Sequence, residues 1–185
     1  MTIHGRIAVV LLCTGAAGVA AATGDEGFGF GTTPGSGEIA AVDIDAMPDG
    51  RGLPPGSGSV AEGEEVYATE CMACHGENLE GVPETGGARL IGGRGTIGTP
   101  QTTKTVESYW PYATTVFDYV NRAMPLQAPG SLSDKQVYAV TAYILYRGNI
   151  VEQDAVMDAT SLPAVEMPNR NGFIPDPRPD VRDYR

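Results

Sequence analysis

Residues 71–76 read CMACHG, which places two cysteines three positions apart and a histidine directly after the second. This spacing brings two thiols and an imidazole into about one turn of helix. The whole chain of 185 residues has only three cysteines and two histidines, so most of its thiol and imidazole chemistry is concentrated here. What these three side chains bind therefore decides how the rest of the chain is interpreted.

Residues 1–22 have the pattern of a signal peptide: a positive residue, an apolar run and then three alanines. The apolar run is shorter than the ~17–25 residues of a membrane-spanning helix. We therefore expect export by a Sec-type signal and no membrane span in the mature chain, with an uncleaved anchor as the alternative. Cleavage near residue 22 would leave Cys71, Cys74 and a single histidine, His75.

Three kinds of site use a C-x-x-C pair. A structural zinc ion needs about four nitrogen or sulfur ligands, and the mature chain has only three in this turn. A thioredoxin-like dithiol normally opens a helix in a strand-rich fold, whereas this pair closes a predicted helix. C-x-x-C-H is the attachment signature of c-type haem. We therefore expect one haem c bound covalently through Cys71 and Cys74, with His75 as an axial ligand of the iron.

A methionine is the expected second axial ligand, because no second histidine remains in the mature chain. Met124 is the first candidate, since it ends a predicted helix and precedes Pro125, which would hold the loop. Met167, also followed by a proline, is the second candidate. An iron with both axial positions filled has no open site for oxygen or peroxide. The sequence therefore predicts an electron carrier and no catalytic residues.

The composition is acidic, with a net charge of -11 from 12 Lys+Arg and 23 Asp+Glu. Such a chain would repel phosphate, so nucleic-acid binding is not expected. It suits a partner that has a basic docking face.

Three helices are predicted around the C-x-x-C-H turn. The first runs from Ser59 to about Met72, with Glu62 in a capping-box position, and the second covers residues 112–123. The third follows a second capping box at Ser133 and ends at Gly148. No strand is predicted.

Regions rich in glycine and proline flank these helices on both sides. We expect residues 23–58 and 151–185 to be extended arms and residues 59–150 to form the haem domain.

This arrangement resembles a class I cytochrome c, which implies an all-α fold of three main helices around one covalent haem. In that family the first and last helices cross at a small residue and aromatics, a role that the resemblance gives to Gly63, Tyr67 and Tyr143. The family also has a backbone carbonyl, usually from a proline, that accepts the ring N–H of the proximal histidine. Ala88 lies near the equivalent place in this chain.

A wider resemblance is carried by PDGRGLPPGSGS at 48–59 and SYWPYATTVFDY at 108–119. Both stretches are similar to the cytochrome c subunit of the Sox sulfur (sulfane) dehydrogenase. The resemblance implies a periplasmic protein of sulfur oxidation that accepts electrons from a molybdenum-cofactor subunit of the sulfite-oxidase type and passes them to a downstream cytochrome. That subunit carries two haem domains, and this chain resembles the first of them.

Four side chains are candidate contacts of the haem propionates. Trp110 is the single tryptophan and has a good N–H donor, and Tyr112 lies close to it in sequence. Arg89 or Arg94 could neutralise a propionate.

Two other functions are compatible with the same haem turn. A free electron shuttle would need no fixed partner, but the long arms at both ends argue against it. A haem enzyme, such as a thiosulfate dehydrogenase or a peroxidase, would need an open or unusual distal site. A dithiol redox protein is a third alternative and predicts no colour and two titratable thiols.

Overall fold

The computed structural model describes residues 30–175, so the predicted signal peptide lies outside the described part of the chain. Among these, residues 36–175 belong to one compact unit. Its described helices and strands are α1 Ser36–Val42, β1 Ser57–Ser59, α2 Val60–Glu70, α3 Met72–His75, α4 Ala113–Ala123, α5 Asp134–Arg147 and β2 Val156–Asp158. Within residues 30–175, no helix is both long and apolar enough to cross a membrane.

Capping boxes start the two longer predicted helices, as expected from the sequence. The Ser59 side chain accepts the N–H of Glu62, and the Glu62 carboxylate accepts the N–H of Ser59 at 2.9 Å. Ser133 and Gln136 make the same reciprocal pair at the start of α5, and Gly148 caps its end. These contacts satisfy backbone donors that have no partner inside the helix.

α2 and α5 cross in close contact at Gly63, which is the position that the cytochrome resemblance indicated. A Cβ atom at Gly63 would overlap the carbonyl of Ala139 and lie 2.8 Å from Cβ of Tyr143. The rings of Tyr67 and Tyr143 pack beside this point, with centroids 5.2 Å apart. The Tyr67 hydroxyl donates to the carbonyl of Gly76 at 2.7 Å, which ties the crossing to the loop after the C-x-x-C-H turn.

The core is built around α5, in which every residue from Val137 to Leu145 is buried. α4 packs against it through Phe117, whose ring lies 4.5 Å from that of Tyr138. With α4 packed on α5, residues of α4 and of the α3 turn line one common cavity.

The segments predicted as extended arms contain regular structure that was not predicted. α1 lies within 23–58, and β1 pairs antiparallel with β2, which brings Gly58 opposite Met157. The hydroxyl of Tyr138 also donates to the carbonyl of Pro54 at 2.8 Å. The two strands were not predicted, because a strand of three residues is too short to show an alternating pattern of apolar and polar residues. They form because both segments pack on α5.

The ion pair between Glu62 and Lys135 links the first turns of α2 and α5 and predicts an acid-sensitive contribution to stability. Nζ of Lys135 lies 2.7 Å from Oε1 of Glu62. The hydrogen bond from Lys135 is the largest cause, and those from Ser59 the next, of a Glu62 pKa that is lowered from 4.5 to about 2. Since the folded-state pKa is the lower one, this contribution is present above pH 4.5 and lost as the pH falls towards 2.

We therefore expect Glu62→Gln, which retains the capping-box geometry, to lower the free energy of unfolding at neutral pH. The gap between variant and wild type should close as the pH falls. Denaturant unfolding at a series of pH values measures this. Glu84→Gln, at an exposed residue without an ion pair among the described residues, is the control. A gap that is independent of pH would contradict the assignment.

Candidate functional site

A cavity of about 360 Å³ lies between the α3 turn and α4. Cys71, Cys74 and His75 line it from the α3 turn, and Met124 lines it from the end of α4. Much of its remaining wall is apolar and comes from Leu90, Val106, Val116, Val120, Val140 and Ile144. The cavity thus combines two thiols, an imidazole, a thioether and an apolar lining, which is a donor set suited to a covalently attached haem.

The helical turn of α3 brings the two thiols and the imidazole to the same cavity. The N–H groups of Cys74 and His75 donate to the carbonyl of Cys71 at 3.1 and 2.9 Å. Neither thiol is in a disulfide, so both are free to form thioethers.

The acidity of Cys71 argues against a dithiol redox centre. Burial, and then the neighbouring Glu70 carboxylate, raises the pKa of the Cys71 thiol from 9 to about 11. Redox-active cysteines have a lowered pKa, because the thiolate is the nucleophile. A thiol protonated at neutral pH fits a structural attachment point better than a disulfide-exchange site.

A backbone carbonyl orients His75 without the proline expected from the family. Nδ1 of His75 lies 2.7 Å from the carbonyl oxygen of Ala88. A carbonyl can only accept, so Nδ1 carries the proton and Nε2 keeps the lone pair that an iron would bind. The loop approaches closely enough because residue 87 is glycine: a Cβ there would overlap the carbonyl of Cys74.

The structure separates the two candidate methionines. Met124 is the C-terminal cap of α4, its N–H donates to the carbonyl of Val120 at 3.0 Å, and the residue lines the cavity. Met167 is 2% exposed, packs in the core and does not line the cavity. Only Met124 is therefore brought to the same cavity as His75.

Of the four residues predicted to contact the haem propionates, two line the cavity and two do not. Trp110 and Arg89 line the cavity. Tyr112 does not: it is the N-cap of α4, and the guanidinium of Arg170 lies 4.4 Å from its ring centroid.

Arg94 also lies away from the cavity. Its Nε donates to the Glu107 carboxylate at 2.6 Å, and its Nη2 donates to the carbonyl of Asn149 at 3.1 Å. Arg94 therefore ties its loop to the end of α5. Glu107, its partner, is nearly buried, and this pairing depends on long-range packing that the sequence does not reveal.

Lys104 and Tyr119 are polar or aromatic cavity residues that the sequence analysis did not identify. Lys104 lines the cavity, with Nζ 4.8 Å from the ring centroid of Tyr109 and no carboxylate partner among residues 30–175. Tyr119 lines it as well, packed edge-to-face on Trp110 at 5.7 Å. A lysine in an irregular loop carries no local signal of its direction, so only the fold could identify it.

Comparison with known proteins agrees with this geometry. The model of the family described as Cytochrome c matches residues 60–147. The chain is similar to a chain in the crystal structure of the sulfane dehydrogenase SoxCD from Paracoccus pantotrophus, with 43% identity and a TM-score of 0.74. The similarity covers 82% of this chain and 74% of that chain. None of the curated proteins that were compared matches.

Proposed function

The chain belongs to the cytochrome c family and carries covalently bound haem c, and on this premise we propose that it is the periplasmic electron-transfer subunit of a sulfur-compound dehydrogenase. Its partner would be a sulfane- or sulfite-type dehydrogenase subunit with a molybdenum cofactor, and a downstream cytochrome would take the electrons on.

One observation favours a dehydrogenase subunit over a free electron shuttle. The similarity to the SoxCD chain extends over 82% of this chain, well beyond the haem domain matched at residues 60–147. Segments on both sides of the haem domain are therefore shared with a chain of a sulfur dehydrogenase. A shuttle that meets its partners only briefly has no need of them.

The roles of the site residues follow from their positions around the cavity. Cys71 and Cys74 would hold the haem through thioethers, while His75 and Met124 would bind its iron from the α3 and α4 sides. The Ala88 carbonyl fixes the orientation of the His75 ring. When bound, the haem supplies a reversible one-electron couple. If His75 and Met124 both bound the iron, no position on it would be open to a substrate, and this favours an electron carrier over a haem enzyme.

Arg89, Lys104 and Trp110 would contact the haem propionates. All three line the cavity, and neither cation is paired with a carboxylate among the described residues. Guanidinium, ammonium and indole N–H groups are the donors that such carboxylates need.

Native purification with a molybdenum assay tests the proposed function. We expect haem and molybdenum to elute together from the periplasmic fraction, in a fixed ratio. Sulfite, thiosulfate or a protein-bound sulfane donor, added in turn, should then reduce the haem, and the active donor identifies the substrate class.

A red protein that elutes alone and responds to none of these donors would contradict the proposal and leave a free shuttle. Rapid cyanide binding by the native ferric protein would indicate an open iron position and favour a haem enzyme.

A further inference from the structure

We propose that the outer surface of α1, together with the exposed side chains at the mouth of the haem cavity, is the docking surface for the electron-donating dehydrogenase subunit. We call these residues the docking patch: Ile39, Val42, Ile44, Tyr119 and Leu126. The inference rests on the proposed function and adds the surface through which it operates.

The α1 region exposes apolar side chains that its own chain does not cover. No residue of α1 is buried, and Ile39, Val42 and Ile44 are 48%, 76% and 45% exposed. A helix of seven residues is too short to be stable alone in water. Its exposed apolar side chains would stabilise it if another surface packed against them. Clustered exposed apolar residues of this kind mark protein interaction sites.

The residues after α1 are fastened to α4, beside the cavity. The N–H of Ala46 donates to the Asp118 carboxylate at 2.9 Å, and Asp45 lies 3.4 Å from Arg122, which also pairs with Asp118. The next residue of α4, Tyr119, is 48% exposed and lines the cavity.

The segment that follows α1 is therefore held against α4, the helix that carries Tyr119 at one side of the cavity. Tyr119 packs edge-to-face on Trp110, which lines the cavity further along, and Leu126 lines it while being 69% exposed. A partner that packs on α1 and extends across this segment and α4 would also cover the cavity opening. Its redox centre would then lie on the side of the cavity that carries Tyr119 and Leu126.

Charge indicates the chemistry of this partner. Residues 36–49 contain four acidic side chains and no basic one; Asp45 and Asp49 pair with Arg122 and Arg51, and the whole chain has a net charge of -11. A second copy docked through the same face would bring like charges together, and an anionic membrane would be repelled. The surface fits a protein with an apolar groove and a basic rim.

The test uses the full chain, expressed with its partner in the native periplasm. The variant Ile39→Asp/Val42→Asp introduces charge into the patch at exposed positions, so the haem domain should fold normally. Ile174→Asp is the matched control, because Ile174 is 88% exposed and lies in the C-terminal segment. Molybdenum co-elution, the haem reduction potential and the rate of haem reduction by sulfur donors are measured for all three proteins.

We expect the double variant to lose molybdenum co-elution and to need at least about tenfold more partner for half-maximal reduction, the equivalent of ~1.4 kcal/mol in binding. Its haem potential and its reduction by a small chemical reductant should equal those of the wild type. The Ile174→Asp protein should behave as wild type.

Each contrary result has its own meaning. Unchanged co-elution of the double variant, with a wild type that does co-elute, overturns the docking patch and leaves the proposed function standing. A wild type without molybdenum and without response to the donors overturns both. A wild-type dimer in light scattering that the double variant abolishes would make the patch a contact between copies and overturn the choice of partner.

Discussion

Met124→Ala is expected to lower the haem reduction potential by roughly 0.2 V, a part of the ~0.8 V range that axial ligands span. Met124 lines the cavity from the side of α4, and thioether ligation favours the reduced iron. Alanine has no donor atom, so the position would become open to water or an added ligand. A redox titration, together with cyanide or imidazole binding, measures both effects.

Met167→Ala is the matched control, because Met167 is a buried methionine that does not line the cavity. It should lower the free energy of unfolding by about 2–5 kcal/mol, as other large-to-small core changes do. Its potential and its exclusion of cyanide should be those of the wild type. If Met167→Ala changed the potential and Met124→Ala did not, the ligand assignment would be reversed.

Gly63→Ala is expected to lower the free energy of unfolding by about 3 kcal/mol or more, at the upper end of overpacking costs. In a helix open to solvent the same change would stabilise by ~1 kcal/mol, because alanine is the better helix former. Here the new Cβ would lie 2.5 Å from the carbonyl carbon of Ala139 and 2.8 Å from Cβ of Tyr143. Both neighbours belong to the rigid helix α5, so α2 would have to move away.

Gly37→Ala provides the control for this sign change. Gly37 lies in α1, and a Cβ there would meet no atom within 4 Å. Denaturant unfolding of the holoprotein should show no loss of stability for this variant, and a gain of up to about 1 kcal/mol. If both glycine variants behaved alike, close packing at the α2–α5 crossing would not explain the need for glycine at Gly63.

The sequence by itself determined those features that depend on neighbours within a few residues. Two thiols and an imidazole at C-x-x-C-H spacing must share one helical turn, so the haem attachment site could be read directly at residues 71–75. Both capping boxes involve residues three apart, and the structure contains both. The net charge of -11 likewise needs no fold to be known.

Only the tertiary structure decided which distant side chains share the cavity. Met124 and Met167 both precede a proline, yet packing brings one to the cavity and buries the other in the core. Nothing in the local sequence distinguishes Arg89 from Arg94. In the structure Arg94 pairs with Glu107, whereas Arg89 lines the cavity. The strands β1 and β2 are about 100 residues apart and pair because both pack on α5. The direction of a side chain in an irregular loop likewise depends on long-range packing. No local pattern encodes these contacts, because their energy comes from neighbours that only the fold supplies.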